Sequence, residues 1–467
     1  MRALSFLMLF AGCAPIHVGP GRVLPVELQY DPASFAGTPK ERKAEPPRKL
    51  TLANGLEVYW GEDHSSALVD VSVLVGCGRG DEPAGIPEVT GVMLRGALKA
   101  GAGSLNGAEQ RKAWAELGAD PDVSYDDGES WISFSVRADE LPRAIELLRD
   151  ALASPRFEAA SVTADMERWV TRFDSPMVRH QRLATRTKAR AIYGGVPTLS
   201  DVATADSVRR ITSDVLATHA ALCLQPANLV MVATGDVTQQ SLSAAFAPVA
   251  ALRTGSLMKH LPPGAPPTSR QFWLVPTTLT NKVVVEFVAP GLPPGTKDRA
   301  AARVLMAALM SQLQWELREQ MGHVYSVSAD VEVGPGTGAT WFRFSTRSEV
   351  AAEAVRRTLQ IIESWWQYWP FDDALTRRIV ASMRARYARV DPFVHAFEVA
   401  RGRLQDRGNA ELRTYDEQLA QVTEEGVRNF FAETLKPDRL QVIVSGNFVS
   451  TFNWEQFGAV TRVQPVR

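Results

Sequence analysis

Two stretches of this chain repeat each other at one long spacing. Trp131-Ile132-Ser133-Phe134-Ser135-Val136-Arg137 returns 210 residues later as Trp341-Phe342-Arg343-Phe344-Ser345-Thr346-Arg347. Leu224-Gln225-Pro226-Ala227-Asn228-Leu229 returns 211 residues later as Leu435-Lys436-Pro437-Asp438-Arg439-Leu440. The second match continues in both directions, so that 211–237 corresponds to 422–448 over 27 residues without a gap. Stacked repeats have periods of roughly 20–50 residues, so one long offset marks a duplicated domain. A chain of 467 residues also exceeds what a single hydrophobic core supports. Two homologous lobes are expected, 48–255 and 270–467.

Between them, Leu261-Pro262-Pro263-Gly264-Ala265-Pro266-Pro267-Thr268 places four prolines in six residues. Neither a helix nor a central strand continues through such a run, and 256–269 reads as a linker. Within each lobe the periodicity alternates between strand and helix. Thr51-Leu52-Ala53-Asn54-Gly55-Leu56-Glu57-Val58-Tyr59-Trp60 predicts a hairpin, because Asn-Gly supplies the positive φ angles of a tight turn. The valine-rich run 68–75 predicts a strand. Residues 139–152 set Leu141, Ile145, Leu147 and Leu148 at helical spacing. Helices are predicted over 162–173 and 178–193, broken at Asp174-Ser175-Pro176. The second lobe repeats them over 374–390 and, after Asp391-Pro392, up to Arg407. The expected class is α+β, with helices packed on one mostly antiparallel sheet per lobe.

With 51 basic and 52 acidic residues the net charge is −1, which gives no basic face for a nucleic-acid partner. The amino terminus carries a different signal. Arg2 precedes a short apolar run, too short to span a bilayer, that ends in Leu9-Phe10-Ala11-Gly12-Cys13. This is similar to a bacterial lipoprotein signal, with Phe10 where a smaller aliphatic residue is usual and Cys13 as the lipidated residue. A plain secretory signal is the alternative, and both export the chain. Residues 1–13 are then the signal segment and 14–47 a tether rich in proline and charge. The expected location is the bacterial cell envelope, anchored by lipid at the periplasmic face of the outer membrane. Cys77 and Cys223 could pair there, but two cysteines do not make a disulfide framework, and buried free thiols are the expectation.

After the strand at 68–75 comes Gly78-Arg79-Gly80-Asp81-Glu82-Pro83-Ala84-Gly85, then Gly91-Val92-Met93-Leu94-Arg95-Gly96-Ala97-Leu98-Lys99-Ala100-Gly101. With the hairpin, the Asp-x-Pro break, the Pro-x-x-Leu…Gly-Asp strand, the duplication and the linker, residues 48 to 450 resemble the pitrilysin/insulinase family of zinc peptidases. That family's helix carries His-x-x-Glu-His, two imidazoles to hold zinc and a glutamate to activate water. Here the resemblance puts Val92 and Gly96 at the histidine positions and Arg95 at the glutamate. Valine and glycine offer no lone pair, and a protonated arginine repels a divalent cation. The family's third ligand, a glutamate, falls near Thr171-Arg172-Phe173, where no carboxylate stands, with Glu167 and Asp174 on either side. No zinc or other cofactor is therefore expected on this chain, and no peptidase activity from it alone. The seven histidines, His17, His64, His180, His219, His260, His323 and His395, are far apart in sequence and read as surface or packing residues. Gly334-Pro335-Gly336-Thr337-Gly338 reads as a turn.

The second lobe retains another part of the pattern. Ser311-Gln312-Leu313-Gln314-Trp315-Glu316-Leu317-Arg318-Glu319-Gln320-Met321-Gly322-His323-Val324-Tyr325-Ser326-Val327 is similar to the family's Ser-Arg-Leu…Leu-Arg-Glu…Gly…Tyr-Ser segment, although Ala307-Ala308-Leu309-Met310 replaces the usual glycine-rich approach. There an arginine and a tyrosine bind substrate opposite the zinc, and they map onto Arg318 and Tyr325. A guanidinium grips a peptide carbonyl and a phenol hydrogen-bonds a developing oxyanion. The alternative is an arginine paired with Glu319 or Glu316 beside a half-buried strand tyrosine. Trp365, Trp366, Tyr368, Trp369 and Phe371 form either core packing or a partner surface. The resemblance implies a pseudo-peptidase, the Arg/Tyr substrate-binding subunit of a heteromeric zinc peptidase. Its partners are then a related zinc-bearing subunit, a peptide substrate and a membrane reached through the lipid anchor. A catalytically silent peptide-binding or scaffold protein of the envelope is the other reading.

Overall fold

Alternating apolar residues pair into two six-stranded sheets, one per half of the sequence. The computed structural model describes residues 46–464, apart from 174, 195–198, 200, 261–264, 266, 293–297, 334–337, 389, 406–414 and 449–451, together with the short strands Val18–Gly19 and Arg22–Val23. Cys13, nearly all of the tether, Asp174 and the turn at 334–337 therefore lie outside the described residues, as does part of the linker.

In the first sheet β1 (Arg48–Thr51), β2 (Glu57–Glu62), β3 (Leu68–Val75), β4 (Asp122–Tyr125), β5 (Ser130–Arg137) and β6 (Leu229–Gly235) lie in the order β1-β2-β6-β3-β5-β4. In the second, β7 (Gln271–Pro276), β8 (Lys282–Pro290), β9 (Val324–Val331), β10 (Ala339–Arg347), β11 (Gln441–Gly446) and β12 (Ala459–Arg462) lie in the order β9-β10-β8-β11-β7-β12. Read from opposite ends, five positions of the two orders correspond, as the repeated segments require. The outer strand differs. β1 is antiparallel to β2 across the Asn54-Gly55 turn, whereas β12 runs parallel to β7 and comes from the carboxyl-terminal end. Gly235 and Gly446 close the matched strands with φ of +134° and +135°. A Cβ at either would overlap a neighbouring backbone carbonyl, that of Leu68 or that of Lys282.

The helices of the first half are α1 (Val89–Lys99), α2 (Gly107–Glu116), α3 (Leu141–Ala153), α4 (Ala159–Phe173), α5 (Pro176–Tyr193) and α6 (Ser213–Cys223). Those of the second are α7 (Arg299–Gln314), α8 (Ala351–Gln367), α9 (Asp373–Tyr387), α10 (Pro392–Gln405) and α11 (Glu424–Thr434). Most cover one face of their own sheet and build a separate apolar core in each lobe. None among the described residues is long and apolar enough to cross a membrane.

Two helices depart from the expectation of one sheet with its own helices. α5 crosses to the second lobe, where Ala189, Ile192 and Tyr193 pack on Val275, Val288, Trp341 and Ile443. α10 crosses the other way, and Ala396, Phe397, Ala400 and Leu404 cover Tyr59, Leu74, Val230 and Val232. The cause lies in the central strands. β11 is buried along its whole length, and β6 along all but its last residue, so both faces need cover, and each lobe supplies the second layer for the other. Both helices open on a proline that fixes the first turn.

Ion pairs fasten the exchange. Lys188 of α5 lies 3.4 Å from Glu286 and 3.5 Å from Glu332, and the Tyr193 hydroxyl donates to the Gly338 carbonyl. Arg401 of α10 pairs with Glu129 and Asp126, and Arg403 donates to Glu57 at 2.8 Å. Six residues after its opening proline each crossing helix also meets the start of its own lobe's first helix, with reversed charge. Arg182 pairs with Glu88, whereas Glu398 accepts from Arg299 at 3.5 Å and Arg303 at 3.4 Å. Burial opposes the Glu398 charge, but Arg303, Arg299 and Arg401 draw its carboxyl down to about 2.

The aromatic cluster is mainly core. Trp365 is buried, and Trp369 and Phe371 stack against each other beside Phe431. Trp366 and Tyr368 are exposed at its edge, the Trp366 indole donating to the Leu435 carbonyl.

Candidate functional site

The acidic turn before α1 holds the helix start. Asp81 accepts from the Gly78 N–H at 2.9 Å, and Glu82 accepts from the N–H groups of Glu88 and Thr90 at 2.9 and 3.1 Å. A buried carboxyl group thus satisfies helix-start donors that would otherwise be orphaned. Glu88 adopts a left-handed φ of +80°, a strained conformation for this residue. It is held there by hydrogen bonds from Tyr125 and Arg182. Burial and the neighbouring Glu88 charge push Glu82 up to about 8. Burial also disfavours the Glu88 charge, yet Arg182 and Arg79 hold its carboxyl below the usual range.

Along α1, Val92 is buried, and Gly96 lies under Phe157, whose ring is 3.0 Å from where a Cβ would stand. Gly91 and Arg95 share a different face. A Cβ on Gly91 would meet the Tyr125 ring at 2.5 Å, and the Arg95 guanidinium lies 5.8 Å from that ring and 4.5 Å from Trp169 of α4. So the helix face that looks toward α4 presents Gly91 and Arg95, one residue before the Val92 and Gly96 pair. Either pair lacks an imidazole, and the cation of Arg95 stands between two aromatic rings. On α4, Glu167 is exposed and its carbonyl accepts from Thr171. The side chains of Arg172 and Phe173 lie outside the described residues. These groups do not fit a zinc ion. As isolated in its disulfide form, the chain should carry no zinc after dialysis and show no chelator-sensitive peptide hydrolysis. Elemental analysis and a peptide-cleavage assay check this, and one zinc per oxidised chain overturns it.

Cys77 and Cys223 are joined in a disulfide across 146 residues, with Cα atoms 5.6 Å apart. This corrects the expectation of free thiols: folding brings the residue just after β3 against the last turn of α6. His219 lies beside them, its Nε2 3.7 Å from one sulfur and 3.5 Å from the other. His219 and Cys223 stand at i and i+4 on α6, a spacing already visible in the sequence, so His219 is more than the surface or packing residue expected. Among the described residues it is the one group of histidine, cysteine and acidic side chains close enough to hold a metal.

In the second lobe α7 runs into a π-helical turn, Trp315–Gln320, an irregularity frequent at functional sites. Buried Glu316 anchors it, accepting from Arg357 at 2.8 and 3.1 Å and from Gln312 at 3.2 Å. Gly322, at φ +63°, ends the turn. β9 then pairs with β10 through a bulge between Val324 and Val327. Both valines are buried, while Tyr325 is 81% exposed: strand alternation turns the phenol away from Val324, and the bulge returns Val327 to the core. The Arg318 guanidinium lies 5.7 Å from the Tyr325 ring centroid, and its Nε is 3.3 Å from Glu319. The structure thus sets Arg318 and Tyr325 side by side on the surface. The pairing with Glu319 is present, but the tyrosine is not half-buried.

These features define a class: a two-lobed α+β peptidase fold without histidines on its motif helix. Residues 210–383 match the sequence profile of the family described as the peptidase M16 inactive domain. Over that segment the chain is similar to the M16 family, and the whole chain has the fold of solved M16 peptidase-like structures. A solved M16 inactive domain from Pseudomonas fluorescens superposes with a TM-score of 0.71 at 18% identity, covering 87% of this chain and 100% of that one. A chain of complex III2 from Candida albicans gives 0.70 at 14% identity, with 88% and 98% covered. The periplasmic protease PqqL from Escherichia coli gives 0.65 at 17% identity, covering 92% of this chain and 48% of that one. No curated protein matches the chain.

Proposed function

We propose that this chain is the substrate-gripping half of a two-chain zinc peptidase, lending Arg318 and Tyr325 to a related subunit that holds the metal. The observation that carries this reading is the placement of the pair. A π-helical turn and a strand bulge together present an arginine and an exposed tyrosine side by side. A strand tyrosine that served only the core would point inward, as Val324 and Val327 do. The substrate is a peptide, its carbonyl held by the guanidinium and its developing oxyanion by the phenol.

The test is reconstitution with a zinc-bearing relative from the same cell. Peptide hydrolysis should need both chains and should fall when Tyr325 is changed to Phe. If the zinc-bearing chain is equally active alone, this chain is better described as a scaffold.

Attachment to the envelope through lipidated Cys13 belongs to the same reading. Cys13→Ala should abolish incorporation of labelled fatty acid and leave the protein soluble or unprocessed. A wild-type chain that takes up no lipid and fractionates as soluble removes the anchor from the scheme.

A further inference from the structure

Cys77, His219 and Cys223 lie in the interior of the first lobe, all fully or almost fully buried. Their ligating atoms lie within 4.8 Å of one another. Two of the three share one face of α6, and the third follows β3, so the group joins two elements that the fold already holds together. In a tetrahedral site with a metal–sulfur bond of about 2.3 Å and a metal–nitrogen bond of about 2.05 Å, sulfur and nitrogen stand about 3.6 Å apart. The two separations here are 3.7 and 3.5 Å. The His219 ring therefore sits where a ligand would sit, and only the sulfur–sulfur bond must open. The Thr90 hydroxyl, 3.0 Å from the same Nε2, offers an oxygen for a fourth position.

We infer that reduction of the Cys77–Cys223 disulfide creates a buried binding site for one thiophilic divalent cation, zinc above all, held by the two sulfurs and His219 Nε2. The chemistry balances in two steps. A dithiol reductant delivers two electrons and two protons to the disulfide and itself becomes a disulfide. The two thiols then lose their protons to solvent as the cation binds both sulfurs, because a thiolate is the ligand. Soft sulfur and imidazole donors select zinc over magnesium or calcium. Closed off from solvent, the ion staples the end of β3 to α6 in place of the disulfide, the usual arrangement of a structural site. This site is distinct from the motif helix face of Gly91 and Arg95, and it does not depend on the role proposed for Arg318 and Tyr325.

The test uses the full chain under anaerobic conditions. Oxidised and dithiol-reduced samples are each given one equivalent of zinc or cobalt, desalted and analysed for metal, with circular dichroism to follow folding. The oxidised chain should keep none, and the reduced, folded chain should keep one ion, with sulfur-to-cobalt charge-transfer absorption in the cobalt form. His219→Gln, which leaves the disulfide available for folding, should weaken zinc binding to the reduced chain by more than the roughly 10- to 100-fold typical of outer-shell changes. Three results overturn the inference: reduced, folded protein that retains no metal, His219→Gln that binds as tightly as wild type, and reduction that unfolds the chain.

Discussion

Tyr325→Phe should lower the turnover of the reconstituted two-chain peptidase by roughly 30- to 1000-fold, with the melting temperature of this chain unchanged. The range follows from about 2–4 kcal/mol of transition-state stabilisation by a single oxyanion donor. The structural side of the expectation rests on exposure. At 81% exposure the phenol supports no core, and removing its hydroxyl leaves no buried group without a partner. Arg318→Ala should act in the same direction, with little cost to stability, because the ion pair it loses with Glu319 is an exposed one. Gln320→Ala, on the same turn, serves as the control. The decisive reading is turnover against stability. A fully active Tyr325→Phe complex, or an Arg318→Ala chain that unfolds, would return both residues to a structural role.

Ala400→Glu should destabilise the chain by about 4 kcal/mol or more and cost much of the soluble yield, since a buried, unpaired carboxylate carries a penalty of that order. Ala400 is fully buried where α10 lies across the first sheet, against Tyr59, Leu74, Val230 and Val232. The variant tests the helix exchange itself. If α10 only decorated its own lobe, a charge at this position would face solvent and be tolerated. Val394→Glu, on the same helix but exposed, should be nearly neutral. Denaturant unfolding of the two variants side by side reads the difference, and equal stabilities would remove α10 from the inter-lobe core.

Much of this architecture is legible in the residues. Trp131 and Trp341, or Gly235 and Gly446, announce the duplication because equivalent strands need equivalent side chains and equivalent backbone freedom at their ends. Leu141, Ile145 and Leu148 mark α3 because helical spacing sets them on one buried stripe. The exchange of α5 and α10 leaves only a trace in the sequence. Leu229-Val230-Met231-Val232-Ala233 is apolar on both faces, and only a strand covered from two sides has that pattern. Which helix provides the cover is not local information. The facing of α1 was likewise out of reach. Gly91 is recognisable as a glycine, but that its missing side chain makes room for the Tyr125 ring, and that Arg95 reaches Trp169, depends on strands and helices distant in sequence.

The sequence by itself determined two lobes of one α+β design, the lack of imidazole on the motif helix, and the survival of an arginine and a tyrosine seven residues apart. These are properties of residue type, periodicity and spacing, which the chain carries before it folds. The tertiary structure alone decided that the lobes trade helices, that Cys77 and Cys223 meet beside His219, and that a bulge keeps Val324 and Val327 both buried while Tyr325 faces outward. Each of these depends on contacts between segments far apart in the chain. Such contacts follow from how apolar faces are covered and buried charges paired across the whole molecule, which no single stretch of sequence specifies.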